Sequence, residues 1–285
     1  MLNDQRYRRT AECSKWSKIL EERHDKIPVY DAEVLKGSSV SALAVAKHGF
    51  DSPLIVHDPP STFGMRIPQM QSLSEVSDII GGDHPVKLID VGSQTQIEGH
   101  TLREFATFLS GYSSTAHKTL NMITLEFSST PLSAKVAAPE FVRDCDWIDS
   151  MWPLERRSRG DYPSVQKYCL SGMAGSYTDF HVDFGGTSVW YHVLSGRKRF
   201  LFAPPTVENL DTYAKWTKSS AGELQFLGDL LQSRAADGKS QLFRLDLLPG
   251  QTLIIPGAWI HAVYTPEDSL VVGGNFLTSS KIIRQ

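Results

Sequence analysis

The sequence predicts a mainly β protein with helices, of the α+β class, built on a double-stranded β-helix of the jelly-roll or cupin-like type. Three observations predict this class. Strand-like runs dominate after Lys167, turn signals separate these runs, and one helical stretch interrupts them near residues 206–218. Many short strands with turn signals between them are typical of sandwiches and barrels.

Size and charge fit a globular chain with one large domain or two ordinary ones, since hydrophobic residues make up 41% of the 285 residues. A net charge of −3 argues against nucleic acid as the main ligand, and no sequence-specific nucleic-acid binding is expected. No apolar run approaches the roughly 18 residues that a membrane span needs, so no membrane partner is expected. The widely spaced Cys13, Cys145 and Cys169 cannot form a disulfide framework or a cysteine-based zinc module.

The front part of the chain predicts helices mixed with strands. Helical spacing covers 11–24, 39–48, Thr101–Leu109 and Pro139–Met151, and strand-like runs cover Leu54–Val56, Val86–Val91 and Leu120–Phe127. We therefore expect residues 1–135 to form a mixed α/β support region packed on a core of residues 136–285. The two regions are expected to make one compact unit.

Eight strands are expected in the core region: Tyr168–Met173, Asp179–Phe184, Ser188–Leu194, Arg197–Ala203, Leu242–Leu247, Thr252–Ile255, Ile260–Thr265 and Leu270–Phe276. Ser195 and Gly196 predict a two-residue hairpin turn, and Pro249 and Gly250 predict another turn. The insertion at about 206–240 is predicted as a helix over Thr206–Lys218 followed by a polar loop.

A metal site is predicted by His181 and Asp183, which stand two residues apart in a strand-like run and so share one face of the strand. His261 follows 80 residues later (261 − 181) on another predicted strand. Two neutral imidazoles and a carboxylate, with open positions left on the ion, are typical of non-haem iron oxygenases and favour Fe(II) or Mn(II). The alternative is an apolar barrel with incidental polar residues.

A cation inside the barrel is predicted at Lys198, whose strand parity puts it on the same face as Phe200 and Phe202. It would pair with the distal carboxylate of a cosubstrate, while an ordinary basic hairpin remains the alternative. The hydroxyl groups of Thr178 and Tyr191 are candidates to bond the same carboxylate. Both residues are also common as ordinary core residues.

Several motifs extend beyond these single residues. They are Lys167–Leu170, Tyr177–Val193, Pro256–Tyr264 and Gly273–Phe276, with Leu120–Ser128, Asp146–Pro153 and Gly49–Val56 upstream. Together they closely resemble the JmjC (Jumonji) histone lysine demethylases, in the branch that holds histone demethylation protein 1 and the plant-homeodomain-linked demethylases. The resemblance covers roughly residues 49 to 280.

The resemblance implies a site with two sets of residues. The metal-holding set, which is also the catalytic set, is His181, Asp183 and His261, and the cosubstrate-binding set is Thr178, Lys198, Tyr191 and Asn121. It further implies Fe(II), 2-oxoglutarate as cosubstrate, dioxygen, and a cupin-like JmjC core.

The same resemblance implies a nuclear enzyme that acts on the methylated histone H3 tail in the nucleosome. It would remove mono- and dimethyl groups by N-methyl hydroxylation with release of formaldehyde. We expect lysine 36 of histone H3 as the substrate, because three cysteines cannot form a reader finger; this region is then a minimal protein or a fragment. Demethylation of H3 lysines 9 or 27, a JmjC protein hydroxylase and a catalytically silent chromatin scaffold are the alternatives.

Overall fold

A computed structural model describes residues 20, 22–42, 49–111, 118–219, 225–233 and 241–278. The predicted helices over 11–24 and 39–48 lie for the most part outside these residues, as does Cys13. None of the helices in the described part has the length and apolarity needed to span a lipid bilayer.

The described strands are β1 Glu33–Leu35, β2 Leu54–Val56, β3 Pro85–Asp90, β4 Thr95–Thr101, β5 Leu120–Glu126, β6 Tyr168–Gly172, β7 Tyr177–His181, β8 Ser188–Ala203, β9 Phe243–Leu247, β10 Thr252–Ile255 and β11 Ile260–Phe276. The described α-helices are α1 Leu73–Ile80, α2 Leu102–Gly111, α3 Glu140–Cys145, α4 Trp147–Met151, α5 Leu154–Ser158, α6 Val207–Lys218 and α7 Leu227–Ser233. Short 3₁₀ turns cover His24–Lys26, Gly37–Ser39, Pro60–Phe63, Pro131–Lys135 and Phe184–Gly186.

The strands join in the order β1-β2-β10-β8-β11-β6-β5-β3-β4, with β7 also paired to β11 and β9 to β8. The long strands β8 and β11 are antiparallel partners along their whole length, from Ile260 opposite Ala203 to Phe276 opposite Ser188. The first half of β8 pairs with β10 and its second half with β9. Likewise, β7 pairs with the beginning of β11 and β6 with its later part.

Each long strand therefore passes from one sheet to the other at a bend in its middle. This arrangement gives two sheets that share β8 and β11, as expected for a jelly roll. The predicted mainly β, α+β class with a cupin-like core is confirmed. Strands from both ends of the chain take part in the larger sheet, while the predicted division at residue 135 stays a prediction.

The predicted hairpin at Ser195 and Gly196 is wrong, because β8 continues through both residues. Gly196 has a φ of 72°, and a Cβ there would lie 2.0 Å from the Asp268 carbonyl oxygen. The pairing with β11 shifts register on either side of Glu267. Gly196 therefore bends a continuous strand past a bulge in its partner. The eight strands predicted for the core region are six strands in the structure. Two predicted strands, Ser188–Leu194 and Arg197–Ala203, are parts of β8, and two others, Ile260–Thr265 and Leu270–Phe276, are parts of β11.

The predicted helix over Pro139–Met151 is also wrong in one respect, because the helix is interrupted at Asp146, whose backbone is extended. The Asp146 side chain accepts hydrogen bonds from the backbone N–H of Ile148 at 3.1 Å and of Leu277 at 3.2 Å. It also accepts one from Gln166 Nε2 at 2.6 Å. Asp146 thus caps α4 and ties it to the end of β11.

Three described helices (α1, α5 and α7) and two described strands (β1 and β4) have no counterpart in the sequence prediction. Helix α1 begins with a capping box, in which Glu75 N–H donates to Ser72 Oγ and Ser72 N–H donates to the Glu75 carboxylate. The predicted polar loop after α6 contains α7, and β4 pairs with β3 at one end of the sheet.

Two buried clusters fix the sheets. Helices α1 and α2 pack with β3 and β5 around fully buried side chains that include Leu88, Leu102, Phe105 and Leu120. The region of α7 packs on β7 and the neighbouring halves of β8 and β11 through Phe180, Phe226 and Leu227. A third buried cluster, which includes Tyr191 and Phe200, borders the candidate site between the two sheets.

Candidate metal centre and cosubstrate cavity

His181, Asp183 and His261 meet at one end of the space between the sheets. Their ligand atoms all lie within 4.8 Å of one another. His181 is the last residue of β7 and pairs directly with His261 near the start of β11. The distance from His261 Nε2 to Asp183 Oδ2 is 3.6 Å, and the two imidazole rings are 4.2 Å apart. The three side chains can hold one metal ion.

Asp183 reaches this cluster from outside the strand in which it was predicted. Strand β7 ends at His181, not at Phe184, because Phe184–Gly186 forms a 3₁₀ turn with Gly185 at a φ of 59°. Asp183 keeps an extended backbone, with φ −57° and ψ 147°, as the residue that precedes this turn. Asp183 thus stands two residues beyond the last ladder pair of β7, and its carboxylate still reaches the two imidazoles.

Backbone carbonyl groups fix the protonation of both imidazoles. His181 Nδ1 lies 2.8 Å from the Asp179 carbonyl oxygen, and His261 Nδ1 lies 3.1 Å from that of Trp259. A carbonyl oxygen can only accept, so each Nδ1 carries the proton and each Nε2 keeps its lone pair. This is the tautomer that a metal-binding histidine requires.

The charge state of His261 also suits a ligand. Burial and the neighbouring His181 together lower the pKa of His261 to about 4, although Asp183 and the hydrogen bond to the Trp259 carbonyl oppose this shift. The imidazole is thus neutral near pH 7 without any competition from protons. Two neutral nitrogen donors and one carboxylate, with no thiolate, fit Fe(II) or Mn(II).

A cavity of about 340 Å³ extends from this cluster between the two sheets. Its apolar walls include Leu170, Phe200 and Val263, and Phe184 lines it with a side chain that is 53% exposed. Because the cavity is concave and mostly apolar with a few polar groups, it has the character of a small-molecule site.

Lys198 lies in this cavity with 2% of its surface exposed, and its Nζ donates a hydrogen bond to Thr265 Oγ1 at 2.8 Å. Burial lowers the pKa of Lys198 to about 7. Asn121 and Thr178 also line the cavity, and Asn121 Nδ2 donates to Thr178 Oγ1 at 3.3 Å. A buried ammonium beside two polar side chains is suited to an incoming carboxylate.

Tyr191 completes the predicted set within the same cavity. Its ring meets Phe200 edge to face at a centroid distance of 5.2 Å, and 7% of the residue is exposed. Burial raises the pKa of its phenol, so the hydroxyl group stays protonated and can donate. All seven residues that the sequence singled out therefore line one cavity.

The sequence did not single out three further polar residues. Thr265 holds Lys198, Ser176 is buried beside it, and Asn275 lines the cavity with its Nδ2 donating to Thr187 Oγ1 at 2.8 Å. Thr265 has the same strand parity as His261, four residues away, and this signal was available. The position of Ser176 depends on the register between β7 and β11, which the sequence does not reveal.

Comparison with known families identifies this part of the fold. Residues 168–276 match the model of the family described as "JmjC domain, hydroxylase". The chain is therefore a JmjC-domain protein. The matched JmjC domain runs from the first residue of β6 to the last residue of β11 and contains the three metal-ligand candidates.

Curated relatives agree with this assignment beyond the JmjC domain itself. The chain is 46% identical over 228 residues to "JmjC domain-containing histone demethylation protein 1" of Mycosarcoma maydis, which covers 78% of this chain. It is 39% identical over 262 residues (88% of the chain) to "Lysine-specific demethylase 2A" of Xenopus tropicalis. It is 38% identical over 267 residues (93%) to "Lysine-specific demethylase 7A" of Mus musculus.

The chain spans only part of these relatives, namely 33%, 22% and 27% of their respective lengths. The similarity extends well upstream of the JmjC domain, because the domain itself accounts for residues 168–276 alone. The residues that precede β6 in the chain, Asn121 among them, thus belong to the shared part.

Proposed function

We propose that this chain is an Fe(II)- and 2-oxoglutarate-dependent histone lysine demethylase. The observation that carries the proposal is the combination of a three-ligand cluster and a buried lysine in one cavity. Names of relatives that state histone demethylation support the substrate class. Nuclear localisation and the methylated histone H3 tail in the nucleosome as partner follow from the same proposal.

In this proposal His181 and His261 give Nε2 lone pairs to the metal, and Asp183 supplies the compensating charge. Lys198 and Thr178 hold the distal carboxylate of 2-oxoglutarate, with Tyr191 and Asn121 beside it. Bound iron would supply the activation of dioxygen for oxidation of an N-methyl group, and 2-oxoglutarate would be converted to succinate and carbon dioxide. The apolar walls keep water from the reacting groups.

We further propose mono- and dimethyl-lysine 36 of histone H3 as the substrate. Identity to the Mycosarcoma maydis histone demethylation protein 1, at 46%, exceeds that to the mouse lysine-specific demethylase 7A, at 38%. The JmjC resemblance implies that the histone demethylation protein 1 type acts on lysine 36 of histone H3 and that the plant-homeodomain-linked type acts on lysines 9 and 27.

The test uses the chain with Fe(II), ascorbate, 2-oxoglutarate and H3 peptides methylated at lysine 9, 27 or 36, read by mass spectrometry. We expect loss of methyl groups from the lysine 36 peptide together with formaldehyde and succinate. His261→Ala should reduce turnover at least about a hundredfold by removing a metal ligand. His57→Ala, at an exposed position, is the matched control and should remain active.

Each alternative gives a distinct result in the same experiment. A stable gain of one oxygen would identify a protein hydroxylase, and methyl loss from the other peptides would move the substrate to lysine 9 or 27. Intact peptides together with unchanged 2-oxoglutarate, in protein shown to hold its metal, would leave the scaffold alternative and contradict the proposed enzyme.

A further inference from the structure

Gly172, the last residue of β6, lies where three polar side chains converge. A Cβ added there would be 2.8 Å from Lys198 Nζ, 2.9 Å from Ser176 Oγ and 3.1 Å from Asn121 Oδ1. Gly172 is not among the glycines with positive φ, so its backbone could accept a side chain. Glycine at position 172 is therefore explained by the lack of space for a side chain, and not by the backbone conformation.

Lys198 and Asn121 line the cavity, and Gly172, Ser176 and Thr265 lie behind them, away from the metal cluster. Lys198 binds Thr265, which stands four residues after His261 on β11, or roughly 13 Å along an extended strand. Thr265 N–H donates to the Ser176 carbonyl at 2.9 Å, and Gly172 pairs directly with Asn121 across the sheet. We call Asn121 and Lys198, together with Gly172, Ser176 and Thr265 behind them, the floor of the cavity.

The floor contains polar atoms that lack partners within the described residues. Ser176 Oγ and Asn121 Oδ1 are buried and make no hydrogen bond there. Leaving such groups unpaired costs about 1–3 kcal/mol each, so a ligand that pairs with them is favoured. A carboxylate beside Lys198 would accept from the Ser176 hydroxyl, and Asn121 Oδ1 would accept from the ammonium.

We propose that Gly172 selects the length of the cosubstrate by leaving room for the Lys198 ammonium at the floor. This inference rests on the proposed function, because it assumes a 2-oxo diacid in the cavity. A methyl group at position 172 cannot coexist with Nζ at 2.8 Å. The ammonium is the end of a flexible side chain and moves into the cavity, which shortens the space between cation and metal cluster. The wild-type floor thus suits five carbons, and a raised floor suits four.

The test measures binding, not turnover, with Mn(II) in place of iron. Dissociation constants are determined calorimetrically for oxaloacetate, 2-oxoglutarate and 2-oxoadipate, which differ by one methylene each. The wild type should bind 2-oxoglutarate most tightly. In Gly172→Ala the ratio of 2-oxoglutarate to oxaloacetate affinity should fall at least about tenfold, while Mn(II) affinity stays within about twofold. Gly111→Ala, where no atom of the described residues lies within 4 Å of the new methyl group, is the matched control and should keep the wild-type ratio.

Ser176→Ala tests the effect of hydrogen bonding alone, because it removes a hydrogen-bond donor and adds no volume to the floor. It should weaken all three diacids by a similar factor and leave their ratio unchanged. If Gly172→Ala does not fold, Lys198→Arg asks the same question, since a longer side chain must carry its cation further from the floor. It should likewise shift the preference toward oxaloacetate.

The outcomes separate this inference from the proposed function. A wild-type protein that binds Mn(II) but none of the diacids would contradict the proposed cosubstrate itself. Tight wild-type binding of 2-oxoglutarate, with the same length preference in Gly172→Ala or Lys198→Arg, would overturn the role of Gly172 alone. An equal loss of affinity for all three diacids in Gly172→Ala would also overturn it. Displacement of the Lys198 ammonium would then weaken binding without changing the preferred length.

Discussion

Lys198 is a buried cation that pairs with no carboxylate among the described residues. Its ammonium donates to the neutral hydroxyl of Thr265, and burial alone lowers its pKa from an ordinary 10.5 to about 7. In the protein without metal or cosubstrate, the residue is therefore close to half protonated at neutral pH. A bound carboxylate would raise the pKa again, because it stabilises the charged form.

The affinity of the Mn(II) protein for 2-oxoglutarate should consequently fall as the pH rises from 7 to 9. Above the lowered pKa the free protein carries a neutral amine, so binding must draw a proton from solution, which weakens affinity by up to about tenfold per pH unit. Calorimetry at several pH values measures this dependence. Lys198→Met should bind weakly with no such slope, and a flat profile in the wild type would contradict the expectation.

At the residue scale, the sequence predicted those groups whose chemistry has a local pattern. His181 and Asp183 share a face by parity alone, and Lys198 was placed inward by the same argument. Ser176 and Gly172 have no such pattern, because each matters through a side chain on another strand. Asn121 came from the family resemblance alone, since it stands 57 residues before Thr178, its partner.

At the scale of elements, the two long strands are the main departure from expectation. Gly196 was predicted in a turn because serine and glycine together are typical of hairpins. Its positive φ is real, but the neighbouring β11 runs alongside β8 on both sides of it and prevents reversal. The sequence thus correctly indicated a residue with positive φ at Gly196. It did not reveal the pairing with β11, which makes this residue a bend within one strand and not a hairpin turn.

Gly196→Ala should destabilise the protein by about 2 kcal/mol or more. A Cβ there meets the Asp268 carbonyl oxygen at 2.0 Å, and a left-handed backbone costs a non-glycine residue about 1–2 kcal/mol by itself. Urea unfolding measures the change. Gly111→Ala, at the end of helix α2 and with no close contact to the part of the chain that the structure describes, should leave stability unchanged or raise it by up to about 1 kcal/mol. Equal effects of the two substitutions would show that the bend at Gly196 is not strained.

The split of the predicted helix at Asp146 has a comparable cause. Helical spacing continues through the position, so a sequence pattern gives no reason for a break. The break arises because the carboxylate is buried, with 1% exposed, and bonds the distant Leu277 N–H and Gln166 amide. Tertiary hydrogen bonds overrode local propensity here, and the cap on α4 formed as a result.

At the scale of the whole molecule, buried imidazoles make stability depend on pH. Burial lowers the pKa values of both His192 and His261 from an ordinary 6.5 to about 4. The unfolded chain therefore binds protons near pH 6.5 that the folded protein refuses until about pH 4. The stabilisation is present above pH 6.5 and lost as the pH falls through this window.

Metal-free protein should thus lose up to about 3 kcal/mol per buried histidine between pH 6.5 and 4. His192→Gln removes one of the two groups and should reduce the loss accordingly. Burial raises the pKa values of Asp146 and Asp179, and these carboxyls act in the opposite direction at low pH. The difference between wild type and variant in urea unfolding is therefore the measurement, and identical pH profiles would contradict it.

The fold class was predictable because alternation and turn residues repeat along the chain, but the joining of its two halves was not. Strand β5 pairs with β6, and β2 pairs with β10, so that early strands flank late ones in a single sheet. Such pairings depend on which edges are left exposed after the jelly roll closes. Periodicity within one strand carries no information about its neighbours.

The pairing of β5 with β6 has a practical consequence for anyone who trims the protein. Expressing residues 168–276 alone would expose the edge of β6 that pairs with β5 and would favour aggregation through this edge. It would also remove Asn121, which lines the cavity at its floor. The smallest piece worth expressing is thus larger than the matched JmjC domain, and its boundary belongs upstream of Leu120.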